Sequence, residues 1–123
     1  MHLVVIARGI PMRSWLIALG VIGLAGCAST GDISHNKPTF QASTSKLDST
    51  YAACVLSRWQ AISPTAHIVE TPTTLQVVVA NNTTSVEELL VIHSKVQGAD
   101  VVLYERLAVL AMRAYRDSAK ACL

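Results

Sequence analysis

The sequence predicts a small α+β domain: a helix, then an antiparallel meander of three or four strands, then a C-terminal helix. Two observations lead to this prediction. Apolar residues recur at helical spacing over residues 51–62 and again over residues 107–122. Between these stretches, short β-branched segments are separated by turn-forming residues, which is the pattern of antiparallel strands. Because each helix has one apolar stripe, we expect both helices to cover one face of the sheet.

The first helix is indicated by six residues at i, i+3, i+4, i+7, i+8 and i+11, which share one helix face. They are Tyr51, Cys54, Val55, Arg58, Trp59 and Ile62. Asp48 or Ser49 can cap its start, and Pro64 is expected to end it. The folded domain is therefore predicted to begin at Leu47.

Residues 66–70 and 75–80 are predicted to be strands. The second prediction is the stronger one, because the centre of that segment is β-branched. The residues between Ala80 and Ser85 are polar and are expected to form a turn or loop.

Residues 86–96 fit two structures. Ser85 and Glu88 form a capping box in front of apolar residues at helical spacing, which favours a helix. The β-branched residues of the same segment favour a strand. We prefer the strand, paired with residues 101–104 through a turn at residues 97–100.

The C-terminal helix is predicted from Leu107 to the end of the chain. Its apolar stripe consists of Leu107, Leu110, Ala111, Ala114, Tyr115, Ser118, Ala119 and Cys122. The other face carries four charged residues, Arg113, Arg116, Asp117 and Lys120. Such a face is typical of a helix side exposed to water, so these four side chains are expected to be solvated.

The stretch Leu24-Ala25-Gly26-Cys27 closes an apolar run that begins at Trp15. Arg13 precedes the run, so a basic end, an apolar body and small residues follow one another as in a secretory signal. The stretch resembles the lipobox of bacterial lipoproteins. In that family the cysteine is joined to a diacylglycerol and becomes the first residue of the mature protein. The resemblance implies that residues 1–26 are a signal peptide and that Cys27 carries lipid.

The residue after the lipidated cysteine influences whether a Gram-negative lipoprotein is located in the inner or the outer membrane. An aspartate there tends to retain the protein in the inner membrane, whereas this chain has Ala28. The resemblance therefore implies the periplasmic face of the outer membrane, with the inner membrane as the alternative. Translation can start at Met1 or at Met12, and Met12 gives the more compact signal.

Charge changes once the signal is removed. Arg8 and Arg13 lie in the predicted signal, so eight basic and eight acidic residues remain. A neutral chain without a basic run does not suit binding to nucleic acid or a polybasic membrane contact.

Residues 27–46 are rich in Ser and Thr and poor in large apolar residues, so they are predicted to be a flexible tether. The folded domain is assigned to residues 47–123.

Two cysteines remain beside the lipidated one. Cys54 and Cys122 each lie on the apolar stripe of a predicted helix, in a compartment that oxidises thiols. We predict a disulfide between them. The alternative is a metal-bound or catalytic thiol, but His67 and His93 show no ligand spacing. No metal site and no cofactor is expected.

Few residues could act as a catalytic acid or base. They are Glu70, Glu87, Glu88, Asp100, Glu105, His67 and His93. Adjacent residues of a strand point to opposite faces, so Glu87 and Glu88 are not expected to form an acid–base pair. Paired carboxylates of the glycosidase kind stay open, although no pattern in the sequence indicates them. The chain is predicted not to be an enzyme.

The layout resembles small lipoproteins of the Gram-negative envelope that share a lipobox, a Cys-x3-Arg/Lys-Trp helix and a near-terminal cysteine. The matching residues here are Cys27, Cys54, Arg58, Trp59 and Cys122. This resemblance implies no particular activity. The expected function is a non-catalytic, lipid-anchored envelope protein that binds a protein partner or assists assembly. The alternative is an inhibitor or immunity-type binder of a periplasmic hydrolase or a small ligand, acting through the uncovered face of the sheet.

Overall fold

The computed structural model describes residues 33–81, 85–109 and 111–123. The predicted signal peptide and Cys27 lie outside these residues. The helices and strands of the described part are, in order, β1 (Phe40–Thr44), α1 (Asp48–Ile62), β2 (His67–Glu70), β3 (Leu75–Ala80), β4 (Val86–Lys95), β5 (Gly98–Glu105) and α2 (Arg113–Ala121). The predicted α+β class is confirmed.

The strands form one antiparallel sheet of five strands in the order β1-β5-β4-β3-β2. From β2 to β5 the chain is a meander in which each strand pairs with the next. β1 is added at the far edge, beside β5. The sequence predicted three or four strands and a helix at the start of the domain. Both details are wrong, because β1 precedes α1.

β1 lies inside residues 27–46, which the sequence predicted to be a flexible tether. The prediction is wrong for residues 40–44. Composition suggested a tether because large apolar residues are scarce there, but Phe40 and Ala42 pack against the core. Backbone pairing with β5, from Phe40 opposite Leu103 to Thr44 opposite Ala99, adds hydrogen bonds that composition does not reveal.

The core lies between the sheet and the two helices. α1 occupies the predicted stretch and buries Tyr51, Ala52, Val55 and Trp59. These side chains meet one face of the sheet together with residues of the C-terminal segment. Members of this cluster from the rest of the chain are Ala66, Val77, Val79, Leu90, Ile92, Ala99, Val101, Leu103, Tyr115 and Cys122.

Cys54 on α1 and Cys122 directly after α2 form a disulfide in this layer. Their Cα atoms are 5.8 Å apart, a separation that suits a disulfide. The predicted pair is thus brought together by the packing of both helices on the same sheet face.

α2 begins at Arg113, later than the predicted start at Leu107. Residues 106–109 form turns, and Leu107 and Val109 are exposed. The chain uses this segment to pass from the end of β5 in the sheet to the helix layer. The apolar pattern continues through this segment, so the helix predicted from that pattern was too long at its start.

The segment 86–96 forms strand β4, so the strand alternative is confirmed over the helix. Its hairpin with β5 turns at Val96 and Gln97, because Lys95 pairs directly with Gly98. The predicted turn at residues 97–100 is wrong. Gly98 has φ +110°, and a Cβ atom there would lie 1.9 Å from the Thr44 carbonyl oxygen. Only glycine fits this position without displacing β1.

The other face of the sheet is covered at one end by Ile33. This residue is buried against Val78, Val86 and Leu89. Asn36 also fastens the segment, since its Nδ2 donates to the carbonyl oxygens of Glu105 and Arg106. The described N-terminal segment therefore enters the fold at the end of the sheet where β4 begins and β5 ends.

Candidate functional site

Two glutamates face each other at this end of the sheet. Glu88 of β4 is the cross-strand partner of Glu105 of β5. Their residues are 3 % and 1 % exposed, respectively. Strand alternation places both side chains on the same face as Leu90 and Leu103, which belong to the core beneath the helices. Two carboxyl groups are thus buried side by side.

A cation from α2 compensates one of these carboxyl groups. Arg116 Nε lies 3.0 Å from Glu105 Oε1, and the Glu105 side chain has no exposed surface. The N–H bond is not directed at that oxygen, so the contact is an ion pair without an aligned hydrogen bond. Arg116 was predicted to lie on a solvated helix face; its side chain keeps 32 % of its surface exposed, but its Nε is buried beside Glu105.

One proton is needed to stabilise the pair. Burial raises the pKa of Glu88 to about 10, and a hydrogen bond to Glu105 and the charge of Glu105 act in the same direction. Arg116 opposes the shift but does not cancel it. Glu88 is therefore neutral at physiological pH. Glu105 and Arg116 balance each other, so this group of three side chains carries no net charge.

The hydrogen bonds of the group lead to the same conclusion. Among the described residues, Glu88 Oε2, both oxygens of Glu105 and Arg116 Nε are buried without an ordinary hydrogen-bond partner. Two ionised carboxylates would both be acceptors and could not satisfy each other. A proton on Glu88, shared with Glu105, removes this conflict.

A cleft of about 330 Å³ opens above Glu88. It is lined by Glu87, Glu88, Leu107, Ala111, Met112 and Tyr115. The walls are mostly apolar, and the carboxyl groups of Glu87 and Glu88 are its acidic groups. A concave, largely apolar site with a few polar groups and a perturbed carboxyl group is the usual form of a binding site.

The wall formed by Tyr115 is fixed by α1. The ring of Trp59 meets that of Tyr115 edge to face, with centroids 5.2 Å apart. Trp59 Nε1 also donates to the backbone oxygen of Tyr115 over 3.1 Å. Burial and the nearby carboxyl of Glu88 raise the pKa of the Tyr115 hydroxyl, against a hydrogen bond with Ser63. The phenol therefore stays protonated.

Glu87 reaches the rim of the cleft through an irregularity in β4. The pairing of β3 with β4 shifts between Val79 and Ala80, so that Glu87 is the extra residue opposite this step. Its Oε1 accepts a hydrogen bond of 2.7 Å from Asn81 Nδ2. Its backbone oxygen accepts from the N–H of Arg106, which ties β4 to the segment that forms the opposite wall.

Three large apolar side chains are exposed in the segment that forms one wall of the cleft; Leu107 and Met112 line the cleft, and Val109 lies between them in the chain. Leu107, Val109 and Met112 belong to the segment between β5 and α2, and Val109 is 95 % exposed. We call these three residues the apolar rim. Single exposed apolar residues are common, but a cluster beside a cleft marks an interaction site.

The other candidate acids and bases lie elsewhere. His67 and Glu70 are exposed on the edge strand β2. Asp100 lies near the β4–β5 turn, where a hydrogen bond from Ser43 and the contact with Lys95 hold its pKa below the ordinary value. The structure brings together only Glu87, Glu88 and Glu105 of the predicted candidates. The pairing of Glu88 with Glu105 and the role of Arg116 were not predicted.

Comparison with protein-family models, with curated proteins and with solved structures gave no match. Within the described residues, no helix has the length and apolar character needed to cross a membrane. The described His, Cys, Asp and Glu side chains form no group of three or more that could hold a metal ion.

Proposed function

We propose that this chain is a lipid-anchored protein of the cell envelope that binds a protein partner and catalyses no reaction itself. The observation that carries the proposal is the apolar rim around the cleft. Exposed apolar patches mark protein interaction sites, and the buried core of an interface is more apolar than the rest of the surface. The anchor is assigned from the lipobox at residues 24–27, with Cys27 as the lipidated residue.

The carboxyl pair supports binding rather than hydrolysis. Glycoside hydrolases hold their two carboxyl groups at least about 5 Å apart so that a substrate or water can enter between them. Here Glu88 and Glu105 are direct cross-strand partners whose carboxyl groups interact, and Glu105 is fully buried against Arg116. This arrangement supports a fixed floor for the cleft rather than an acid and a base with separate tasks.

The position of the anchor suggests where the partner lies. Ile33 packs against Val86 at the cleft end of the sheet. Cys27 precedes Ile33 by six residues, a length of chain that spans at most about 20 Å. A lipid on Cys27 would therefore keep the cleft near the bilayer, and we propose the periplasmic face of the outer membrane. The partner would be an envelope protein that is itself close to the membrane.

Site-specific photo-crosslinking in living cells tests this proposal. A photoreactive amino acid replaces Met112 in the apolar rim or, as a matched control, Val96 at the opposite end of the sheet. Both positions are exposed and apolar. We expect one discrete adduct from position 112 and none from position 96. Equal labelling from both positions, or none from 112, would contradict the assignment of the rim as an interface.

The size of the cleft favours a second candidate. A volume of about 330 Å³ lies within the range of small-ligand sites. The chain could then act as a binder of a small ligand, or as an inhibitor whose target inserts a side chain. In the crosslinking experiment, an adduct with a soluble periplasmic hydrolase would favour the inhibitor, whereas an adduct with a membrane component would favour assembly.

A further inference from the structure

We infer that the cleft above Glu88 binds an alkylammonium group, namely the side chain of a lysine presented by the protein partner. This inference rests on the proposed function and names the group that the partner inserts. It follows from the hydrogen-bonding capacity of the cleft, from its charge and from its walls.

The carboxyl groups of the cleft can only accept hydrogen bonds from a ligand. The Glu88 carboxyl lines the cleft, and its Oε2 is buried without a hydrogen-bond partner among the described residues. Its single proton is shared with Glu105, so Glu88 offers a ligand an acceptor and no donor. Glu87 is a carboxylate and accepts as well. A ligand must therefore bring N–H or O–H donors. A carboxylate or phosphate ligand would place acceptors against acceptors.

The charge of the site selects a cation among such donors. Glu105 and Arg116 compensate each other below the cleft, and Glu87 adds a negative charge at the rim. No basic side chain lines the cleft in the described part of the chain. Arg106 donates its Nε–H to the Val86 carbonyl over 2.7 Å and is not among the lining residues. An ammonium group supplies three donors and one positive charge.

The walls suit a long aliphatic stem. Leu107, Met112 and the ring of Tyr115 line the path from the apolar rim to Glu88. A lysine side chain buries its methylene groups along apolar surface while its ammonium group keeps polar partners. Arginine is disfavoured, because it brings five fixed donors, whereas Glu87 already accepts a hydrogen bond from Asn81 and Glu88 is engaged with Glu105.

A titration with model compounds tests the inference. The purified full chain is labelled at the methionine methyl groups, since Met112 is the only methionine after residue 12. N-acetyl-lysine methylamide is titrated while the Met112 signal is followed by NMR. N-acetyl-norleucine methylamide has the same stem without the ammonium group, and we expect it to bind about tenfold more weakly. Cadaverine tests whether a free diamine is preferred over a lysine carried by a peptide.

Three variants sharpen the test. Glu87→Gln removes the charge and should weaken binding of the lysine compound about fivefold, without affecting the norleucine compound. Glu88→Gln keeps a donor toward Glu105 and an acceptor oxygen, so it is the conservative counterpart of Glu88→Leu and should keep a preference for the lysine compound over the norleucine compound. Glu88→Leu removes the acceptor and should lose the preference for lysine. Glu70→Gln, on the exposed edge strand β2, is the matched control and should change nothing.

The inference is overturned if the norleucine compound binds as tightly as the lysine compound, if Glu87→Gln has no effect, or if cadaverine binds more tightly than lysine. These outcomes differ from a failure of the proposed function. An adduct from position 112 together with no preference for the lysine compound would reject the inferred lysine site and leave the proposed binding of a protein partner intact. Absence of the adduct would remove the proposed function itself.

Discussion

Glu88 and Glu105 are direct partners across β4 and β5, and both are buried on the helix-facing side of the sheet. Like charges directly opposite one another destabilise a sheet. A proton on Glu88 removes this repulsion, while Arg116 compensates Glu105. The end of the sheet is therefore stable as a neutral acid beside an ion pair, and this state defines the floor of the cleft.

Folding stability should fall as the pH rises. The pKa of Glu88 is about 4.5 in the unfolded chain and about 10 in the folded one, because burial and Glu105 disfavour its charged form. Glu87 acts in the same direction and Arg116 against it. Between the two values only the unfolded chain releases the proton, so stability decreases from about pH 4.5 to about pH 10. The slope contributed by this group is at most about 1.4 kcal/mol per pH unit.

Urea unfolding followed by the fluorescence of Trp59 measures this dependence. Glu88→Gln cannot ionise and still donates to Glu105, so its stability should exceed that of the parent above pH 7, with the slope removed. Glu70→Gln is the control and should keep the slope. The interpretation fails if the parent shows no decrease, or if Glu88→Gln decreases in parallel with it.

Removing only one partner of the ion pair between Glu105 and Arg116 should lower the free energy of unfolding. Arg116→Met leaves a buried carboxylate without its cation, and we expect a loss of about 3 kcal/mol in unfolding free energy. Glu105→Gln combined with Arg116→Met removes both charges and should recover a large part of the loss. Equilibrium unfolding of the two single variants and the double variant gives the coupling energy. Additive losses would show that the two groups do not interact.

The disulfide should be a major source of stability. Cys54 and Cys122 are separated by 68 residues, and closing such a loop contributes about 4 kcal/mol in the chain-entropy model. The purified protein should contain no titratable thiol from this pair without reductant. Cys54→Ala and Cys122→Ala should lower the Tm by similar amounts, and the double variant should be little worse than either. A reactive thiol at Cys54 with an unchanged Tm in Cys122→Ala would contradict the pairing.

Lipid attachment should depend on one cysteine. Cys27→Ser should remain uncleaved by the lipoprotein peptidase and should incorporate no radioactive palmitate, because the sulfur that accepts the diacylglycerol is absent. Cys54→Ser removes a cysteine outside the lipobox and should still be labelled. Palmitate in the Cys27→Ser protein would show that the lipobox assignment is incorrect.

Much of the fold could be predicted from local patterns. α1 has a complete apolar stripe and a proline after its end, and β3 has a β-branched centre, so both follow from short stretches of sequence. β1 could not be predicted in this way. It depends on pairing with β5, more than fifty residues later in the chain, and its own residues are too polar to indicate a strand.

The candidate site depended on the register of one hairpin. A turn centred between Val96 and Gln97 places Glu88 opposite Glu105, whereas the predicted turn over residues 97–100 places Glu88 near residue 109. Because the predicted turn lay two residues too far along the chain, the sequence did not predict that Glu88 pairs with Glu105. The signal that could have found it is Gly98, because a glycine at the end of a short hairpin loop accommodates the positive φ found there.

Arg116 was missed for a different reason. Its neighbours on α2 are charged, and the pattern of such a face indicates solvent. The helix starts later than predicted, and the segment before it brings Arg116 back over the end of β5. The contact between Arg116 and Glu105 joins a helix to a strand across a loop, and helical periodicity cannot predict such a contact.

The protonation of Glu88 is the most direct test of the floor of the cleft. The side-chain carboxyl carbons of ¹³C-labelled glutamate report whether each group is ionised, and Glu88→Gln assigns the signal. We expect the Glu88 carboxyl to keep the chemical shift of a neutral acid at pH 7 and to titrate only near pH 10. The exposed Glu70 serves as the reference in the same spectra. If the Glu88 signal titrates close to pH 4.5, the carboxyl pair holds no proton at physiological pH and this account of the site is wrong.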